Sequence, residues 1–406
     1  MRMRQAVVAA AVMAAGLIPA TPAQAKAFTC REQPGVAQVS KAAPYEDRMF
    51  APDRLRPFAT GAGIRVAVLD SGVDDTHPQL QGQVDRGRDF LHGNADGRQD
   101  CVGHGTAVAS IIAARPDAAS GLRGLAPAAI IVPVRVSERT GTEGPDNGEP
   151  ASPGAFAAAI DWAASPTGGN ADIINMSLVM TDPSTAVREA VERATDRGVV
   201  IVAAVGNSGR DGEPNPTPYP AAYPGVIGVG AIDASGVRGD FSQHGTYVDV
   251  MAPGVDVTVA ARRGGHTSGR GTSYATPYVA ATAALVMQRF PASTPAQVTR
   301  RILATTDPAP GGARSDRYGF GVLNPYRAIT ETLGPDTPPS PPATTVVPED
   351  PAAVAQAARR DRAQSQSLIV AAVGIGAVLL VIPLAAAARR GRRRDWQPAT
   401  PADPHP

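Results

Sequence analysis

Residues 269–285 read GRGTSYATPYVAATAAL, where a Gly-Thr-Ser sequence precedes a long run of small apolar residues. This run predicts a buried helix over about 273–290, because alanine favours helices and small side chains permit close packing. Ser273 stands at the head of the helix. A hydroxyl in that place is either a helix N-cap or a nucleophile, and the rest of the chain has to decide between the two.

Apolar strand-like runs alternate with helical patterns along most of the chain. We predict strands at 64–69, 130–136, 173–178, 199–205 and 226–229, and helices at about 105–114, 153–164, 184–197 and 273–290. Apolar runs that mostly lack alternation are typical of parallel strands covered on both faces. The sequence therefore predicts an α/β fold, with a doubly wound, mostly parallel sheet, helices on both faces, and an active site at the carboxyl ends of the strands.

Composition narrows the possible functions of this 406-residue chain. Its formal net charge is +1, which provides no general positive field for nucleic acid. The motifs CxxC, HExxH and GxxxxGK[ST] do not occur in the sequence, so neither a metal site nor a nucleotide site is indicated. We expect no cofactor, no metal and no nucleic-acid partner.

Both ends of the chain carry membrane signals. Residues 1–25 combine a positively charged start, an apolar run and a small-residue cleavage site, which is the pattern of a secretory signal peptide. Residues 368–388 carry no charge and are long enough to cross a bilayer as a helix. A cluster of arginines follows directly, so we expect one transmembrane helix, with the tail 389–406 in the cytoplasm and the rest of the chain outside.

Three further segments lie between these signals. Residues 334–367 begin with the proline-rich stretch GPDTPPSPPATTVVPEDP and are predicted to be a linker, whereas 51–333 form the folded domain. Residues 26–50 are an N-terminal extension. Cys30 and Cys101 are the only cysteines, and export predicts a disulfide between them. Such a bond pins the extension to the domain as a fixed belt rather than a removable inhibitor.

Three polar residues occupy the starts or ends of predicted elements. Asp70 follows the first strand, His104 starts a helix, and Ser273 opens another helix. A serine hydroxyl becomes a nucleophile when an imidazole accepts its proton and a carboxylate orients that imidazole. Each residue alone also fits a structural role in a turn or a cap. The flanking sequences decide between these interpretations.

Six flanking segments resemble, in the same order, the signature sequences of subtilisin-like serine proteases. They are DSGVDDTHP, GHGT, INMSL, AAVGNSG, VDVMAPG and GTSYATP. The resemblance implies a subtilisin-like fold with a parallel seven-stranded sheet, and endopeptidase activity on protein or peptide substrates. It also implies a catalytic triad of Asp70, His104 and Ser273, with Asn207 as the side chain that binds the oxyanion. Ser273 is therefore predicted to be a nucleophile rather than a cap.

The same resemblance assigns substrate binding to Ser177, Leu178, Val179 and Gly206. Subtilisins commonly have two glycines where this chain has Val179 and Met180. One interpretation is that the branched side chain narrows the pocket for the residue before the scissile bond. The other is that the backbone shifts and the pocket keeps its width. The sequence does not decide between them.

The whole arrangement resembles the mycosins, because it joins a signal peptide, an extension, a subtilisin-like domain, a linker, one membrane helix and a basic tail. The resemblance implies an enzyme of the cytoplasmic membrane that associates with the membrane complex of a type VII secretion system. Two alternatives stay open. In the first, the chain is a general exported protease. In the second, it is a structural stabiliser of the secretion complex, and its proteolytic activity is dispensable.

Overall fold

The computed structural model describes residue 30 and residues 35–93, 96–138 and 150–334. The chain divides into two units, Met1–Thr344 and Thr345–Pro406, and all described residues belong to the first unit. The predicted signal peptide, the linker beyond residue 334, the predicted membrane helix 368–388 and the tail 389–406 lie outside the described residues. Within the described part, no helix is long and apolar enough to span a bilayer.

The described secondary structure begins with two short helices and then alternates between strands and helices. In chain order the elements are α1 (Tyr45–Phe50), α2 (Pro52–Leu55), β1 (Arg65–Asp70), β2 (Arg88–Asp89), α3 (His104–Ala113), β3 (Ile130–Arg135), α4 (Pro153–Ala163), β4 (Ile173–Met176), α5 (Thr185–Asp196), β5 (Val200–Ala204), β6 (Val226–Ile232), β7 (Val250–Pro253), β8 (Val257–Ala260), β9 (His266–Gly269), α6 (Thr272–Arg289), α7 (Pro295–Ala304) and α8 (Pro325–Thr330).

Seven of the strands form one sheet in the order β2-β3-β1-β4-β5-β6-β7, and every neighbouring pair is parallel. Strands β8 and β9 form a separate antiparallel pair. The predicted α/β fold with a mostly parallel sheet is thus confirmed. After β1 the chain builds one side of the sheet with β2 and β3 and then continues on the other side with β4. The carboxyl end of β1 therefore lies at the point where the winding reverses, which is where doubly wound sheets bind ligands.

The two faces of the sheet bury different helices. Val66 and Val68 of β1 belong to the core cluster that contains α3, α6 and α7, whereas Ala67 and Leu69 belong to the cluster that contains α4 and α5. All four side chains are fully buried. Because successive side chains of a strand point to opposite faces, Asp70 continues the series of Val66 and Val68. Its carboxylate is directed to the side of the sheet on which α3 lies.

The structure also corrects the element predictions. The predicted helices and strands are present with shifted ends, and α6 begins one residue earlier than expected, at Thr272. The sequence reading missed α1, α2, α7, α8, β2, β7 and the β8–β9 pair. Strand β2 has two residues and β9 has no apolar run, so neither shows a periodic pattern. Helix α7 did carry a readable signal, since Thr294 and Gln297 form a capping box around Pro295.

Candidate active site

Asp70, His104 and Ser273 meet at the carboxyl end of the sheet. His104 Nδ1 lies 2.8 Å from Asp70 Oδ1 and 3.0 Å from Oδ2, and His104 Nε2 lies 3.0 Å from Ser273 Oγ. A Cβ atom on Gly105 would stand 2.0 Å from the carbonyl oxygen of Gly72, so glycine allows α3 to start directly against the turn after β1. The structure thus joins the three predicted side chains into one hydrogen-bonded series.

The partners of the imidazole determine where its proton lies. The Asp70 carboxylate only accepts, so His104 Nδ1–H donates to it, and Nε2 is left to accept the Ser273 hydroxyl proton. Burial disfavours the imidazolium, but the charge of Asp70, its hydrogen bond and the charge of Asp100 outweigh burial and raise the pKa of His104. The Asp70 carboxylate is only 4% exposed, so water does not compete for it. The arrangement prepares His104 to accept a proton.

Ser273 is not a helix cap. Gly271 holds the N-cap position of α6, no side chain caps the helix, and Ser273 lies inside the first turn. Its hydroxyl is therefore available to His104. Most of α6 is buried, from Thr272 to Val286, because alanines and other small residues allow the helix to pack closely against the sheet. This burial fixes the position of the first turn and of the serine in it.

A proline explains how the backbone of Ser273 is held. In a regular helix the Ser273 carbonyl would accept a hydrogen bond from residue 277, but Pro277 has no N–H to donate. The Ser177 hydroxyl donates to that carbonyl instead, at 2.7 Å, and Asn175 Nδ2 donates to the Ser177 hydroxyl at 2.9 Å. The hydroxyl of Ser177, which was predicted to bind substrate, thus binds the backbone of Ser273.

Asn207 follows β5 and is exposed beside the nucleophile. Its Oδ1 accepts hydrogen bonds from the N–H and O–H of Thr272, at 2.9 and 3.0 Å, which turns the Nδ2 group away from Thr272. A Cβ atom on Gly271, whose φ is 152°, would lie 3.1 Å from Ser273 Oγ and 3.3 Å from Asn207 Nδ2. Glycine therefore keeps open the space that both groups border. A carbonyl oxygen in this space would meet the amide as a hydrogen-bond donor.

Gly206 supports Asn207 from the inside. It is buried, its N–H donates to the Thr272 hydroxyl at 3.1 Å, and its carbonyl accepts from the Gln243 N–H at 3.0 Å. Both of its backbone polar groups are therefore used within the protein. In this structure Gly206, which was predicted to bind substrate, positions the residue that follows it.

The segment after Ser177 runs along the side of the site. Leu178 and Met180 pack against the core cluster of α4 and α5, and Val179 is half-buried. The backbone of Met180 exchanges two hydrogen bonds with Tyr219, at 2.7 and 2.8 Å. The backbone is thus fixed at Met180, the residue that follows Val179. Both interpretations of the pocket width stay predictions.

The N-terminal extension is attached next to the catalytic face. Cys30 and Cys101 form a disulfide, with an S–S distance of 2.04 Å, three residues before His104. The His266 N–H donates to the Gln38 carbonyl at 2.9 Å, and the Ser40 N–H donates to His266 Nδ1 at 2.9 Å. The predicted disulfide is thus present, and His266, which belongs to none of the six segments, holds the extension by hydrogen bonds.

One important residue of the site was not predicted. Asp100 is buried next to the start of α3 and accepts hydrogen bonds from the loop that carries His104. Its position a few residues before a helix N-terminus was a usable signal, because carboxylates stabilise the free N–H groups there.

Comparison with known proteins agrees with this geometry. The profile described as "Subtilase family" matches residues 61–321 of the chain. Subtilisin E of Bacillus subtilis is 39% identical over 268 residues, which cover 65% of this chain and 65% of subtilisin E. The chain thus matches less than two thirds of the length of that relative.

Solved structures show the same similarity. The crystal structure of MycP1 from Mycobacterium smegmatis has a TM-score of 0.64 at 30% identity, over 79% of this chain and 94% of MycP1. A serine protease described as MycP1, an essential component of the type VII (ESX-1) secretion system, has a TM-score of 0.64 at 31% identity. The match covers 74% of this chain and 94% of that MycP1 chain.

Proposed function

We propose that this chain, which belongs to the subtilase family, is a serine endopeptidase that cleaves exported polypeptides outside the cytoplasmic membrane. The observation that carries the proposal is the series Asp70–His104–Ser273, with hydrogen bonds of 2.8 and 3.0 Å. A serine hydroxyl is a weak nucleophile by itself, and this series supplies the base that activates it.

Acylation uses every member of the series. Ser273 Oγ attacks the carbonyl carbon of the scissile peptide bond while its proton passes to His104 Nε2. The carbonyl electron pair moves onto oxygen, and Asp70 stabilises the imidazolium that has formed. When the C–N bond breaks, His104 gives the proton to the leaving amine. The product of this half-reaction is an ester between Ser273 and the new C-terminal residue.

Deacylation repeats the same steps with water as the nucleophile. His104 Nε2 takes a proton from water as the oxygen attacks the ester carbonyl, and then returns it to Ser273 Oγ as the C–O bond breaks. The carboxylic acid product leaves, and the enzyme regains its initial protonation state.

Asn207 and the first turn of α6 stabilise the negative oxygen in both half-reactions. Asn207 Nδ2 borders the space in front of Ser273 Oγ, and the Ser273 N–H lies at the N-terminus of α6. Donors that are already fixed before the reaction stabilise the transition state without further reorganisation. The helix dipole adds a favourable potential at the same place.

The proposal includes a location. We infer that residues 368–388 anchor the enzyme, that the catalytic domain lies outside the cytoplasmic membrane, and that it acts beside a type VII secretion complex. The apolar segment, the arginine cluster and the signal-like N-terminus support this location. The similarity to MycP1 supports the secretion role.

The activity is tested with the full-length protein in detergent. A fluorophosphonate probe, which reacts with activated serines, is expected to label Ser273, and a peptide library is expected to be cleaved. Ser273→Ala should lower kcat by about 10⁶-fold, the figure for the equivalent change in subtilisin. Ser268→Ala removes an exposed serine of β9 and serves as the control. Peptidase activity near the wild-type level in Ser273→Ala would reject the assignment.

The location is tested separately. Protease added to intact spheroplasts should digest the domain and spare a tag placed after Pro406. Extraction in a mild detergent should recover the protein together with the secretion complex. Recovery as a free protein would favour the general exported protease, and digestion of the tag would reverse the topology.

A further inference from the structure

The buried carboxylate of Asp100 accepts five hydrogen bonds. Oδ1 accepts from the Ser71 hydroxyl (2.9 Å), the Val102 N–H (3.0 Å) and the Gly103 N–H (2.7 Å). Oδ2 accepts from the N–H (2.9 Å) and the hydroxyl (2.6 Å) of Thr106. Asp100 is 5% exposed. None of these donors is a reacting group. Along the chain, however, Val102 and Gly103 precede His104 and Thr106 follows it.

The donors connect the two backbone segments that matter for His104. Val102 and Gly103 form the loop immediately before the histidine, and Thr106 lies in the first turn of α3 immediately after it. Because one carboxylate binds both sides, a shift of the loop relative to the helix would break several hydrogen bonds at once. Asp100 thereby fixes the backbone from which the His104 side chain projects.

Ser71 extends this connection to the strand that carries Asp70. The Ser71 hydroxyl donates to Asp100 and accepts from the Gly105 N–H at 2.9 Å. The Ser71 N–H donates to Asp70 Oδ1 at 2.7 Å. A single residue thus joins the Asp70 carboxylate, the start of α3 and Asp100. The relative position of base and orienting carboxylate depends on this junction.

The hydrogen-bond directions show that Asp100 is ionised. The Ser71 hydroxyl accepts from Gly105, and the Thr106 hydroxyl accepts from the Asp74 N–H at 2.9 Å, so each has its own proton available for Asp100. The other three partners are N–H groups, which can only donate. The O–H of a protonated Asp100 would therefore find no acceptor among the five partners. Burial raises the pKa of Asp100, and the hydrogen bonds from Thr106 and Gly103 oppose that rise. Charge-assisted bonds of this kind are the strong ones.

We propose that Asp100 is a positioning residue, whose ionised carboxylate locks the loop before His104, the first turn of α3 and the Ser71 junction, so that the imidazole stays aligned between Asp70 and Ser273. This inference rests on the proposed peptidase function. Asp100 does not touch the substrate, and its effect on the reaction passes through His104.

The test compares Asp100→Asn with the wild type at several pH values. The amide keeps the shape of the side chain, but it places an N–H group against donors and removes the negative charge. We expect kcat to fall by about 10²-fold, the cost of a misplacement of about 1 Å in a catalytic group, while KM changes little. Because the charge of Asp100 raises the pKa of His104, the acid limb of kcat/KM should move to lower pH.

Asp249→Asn is the matched control, since it neutralises a half-buried carboxylate that accepts a hydrogen bond from a backbone N–H, that of Gly228. Proton NMR of the His104 Nδ1 proton gives the same pKa change without turnover. An inactive wild type that fluorophosphonate does not label would reject the peptidase function. An active wild type with unchanged kcat and unchanged His104 titration in Asp100→Asn would reject the positioning role, as would a loss confined to KM.

Thr106→Val is the second variant if Asp100→Asn does not fold. It removes the hydroxyl that donates to Asp100 and accepts from the Asp74 N–H, and it keeps the volume of the side chain, which is fully buried. We expect kcat to fall with KM unchanged, by less than in Asp100→Asn. A kcat equal to that of the wild type would contradict the proposal.

Discussion

Asp100 on the catalytic face and Glu46 in the N-terminal extension are both buried carboxyl groups, at 5% and 3% exposure. Asp100 accepts five hydrogen bonds. Glu46 accepts one from another residue, the Thr258 N–H at 3.0 Å, and its Oε2 has no partner among the described residues. Burial raises the pKa of Glu46 to about 7, so this group is largely protonated below neutral pH. Burial raises the pKa of both groups, but Asp100 has five donors that oppose this rise, whereas Glu46 has one donor from another residue.

The difference extends to the regions around the two residues. On the catalytic face, Asp100 is held by five hydrogen bonds from three N–H groups and two hydroxyl groups. Two titratable groups help to attach the extension, namely Glu46, which accepts from the Thr258 N–H, and His266, whose Nδ1 accepts from the Ser40 N–H. One covalent bond, Cys30–Cys101, joins the regions. We therefore expect catalysis and attachment of the extension to respond separately to mutation and to pH.

Removal of the disulfide should have the largest effect on stability. The bond closes a loop between residues 71 apart, and the chain-entropy model gives about 4 kcal/mol for a loop of that length, as an upper value. We expect the double variant Cys30→Ser and Cys101→Ser to unfold at lower urea concentration and to keep most of its kcat. Treatment with a reductant should not change the double variant, which serves as the control. A large loss of kcat would show that the two regions are not independent.

Asn207→Ala should have the next largest effect, chiefly on catalysis. Loss of an oxyanion donor costs about 10²- to 10³-fold in kcat, which corresponds to about 3–4 kcal/mol. Asn207 Oδ1 also accepts from the N–H and O–H of the buried Thr272, so its removal should lower the melting temperature as well. Asn215→Ala provides a control at a nearby half-buried asparagine. A kcat within threefold of the wild type would remove Asn207 from the oxyanion site.

Much of the catalytic face was predictable from the sequence, but most of the contacts that attach the N-terminal extension were not. The six signature segments indicated the fold and the triad through their resemblance to subtilisin-like proteases. The family and the mostly parallel sheet are confirmed. The hydrogen bond from the Ser177 hydroxyl to the Ser273 carbonyl joins segments 96 residues apart, which local patterns do not show. The same holds for Glu46 and His266, since their partners lie more than 200 residues away along the chain.

Glu46→Gln should raise stability above neutral pH. The ordinary pKa of 4.5 rises to about 7 in the folded protein. The folded state therefore binds more protons than the unfolded chain between these values, and its stability falls as pH rises through this window. By pH 8 the free energy of unfolding of the wild type should therefore be lower by up to about 3 kcal/mol than it would be with Glu46 neutral. Glu46→Gln stays neutral, so it should melt higher than the wild type at pH 8 and close to it at pH 5.

The control for this prediction is Glu189→Gln, which neutralises an exposed glutamate of α5. Burial also raises the pKa of Asp249 to about 6, but this group contributes equally to both proteins and cancels in the difference. If Glu46→Gln is no more stable than the wild type at pH 8, then Glu46 is not held protonated, and the contrast with Asp100 is wrong.

The smallest effect is expected at His266, with the opposite sign. Burial and the neighbouring His77 lower its pKa below the ordinary 6.5, while Asp117 acts in the other direction. Its Nε2–H donates to Gln79 Oε1 at 2.8 Å, with the Ser120 hydroxyl 3.2 Å away, so neutral Nδ1 accepts from Ser40. The contribution of His266 to the stability of the attached extension is present above pH 6.5 and is lost as pH falls through the lowered pKa. At low pH a proton occupies Nδ1, which then faces the Ser40 N–H and cannot accept from it.

Hydrogen exchange of the Ser40 amide measures this loss directly. After correction for intrinsic exchange, its protection should fall on acidification by about 2- to 10-fold, the equivalent of one net hydrogen bond. In His266→Asn an amide oxygen replaces Nδ1 as a non-titrating acceptor, so protection should stay constant with pH. The Gly209 amide, which donates to the Phe241 carbonyl away from the extension, should stay constant in both proteins. If wild-type Ser40 protection does not change between pH 7.5 and pH 5, His266 holds the extension in both protonation states. Attachment would then depend on pH through the carboxyl groups of Glu46 and Asp47, whose pKa values burial raises to about 7 and about 6.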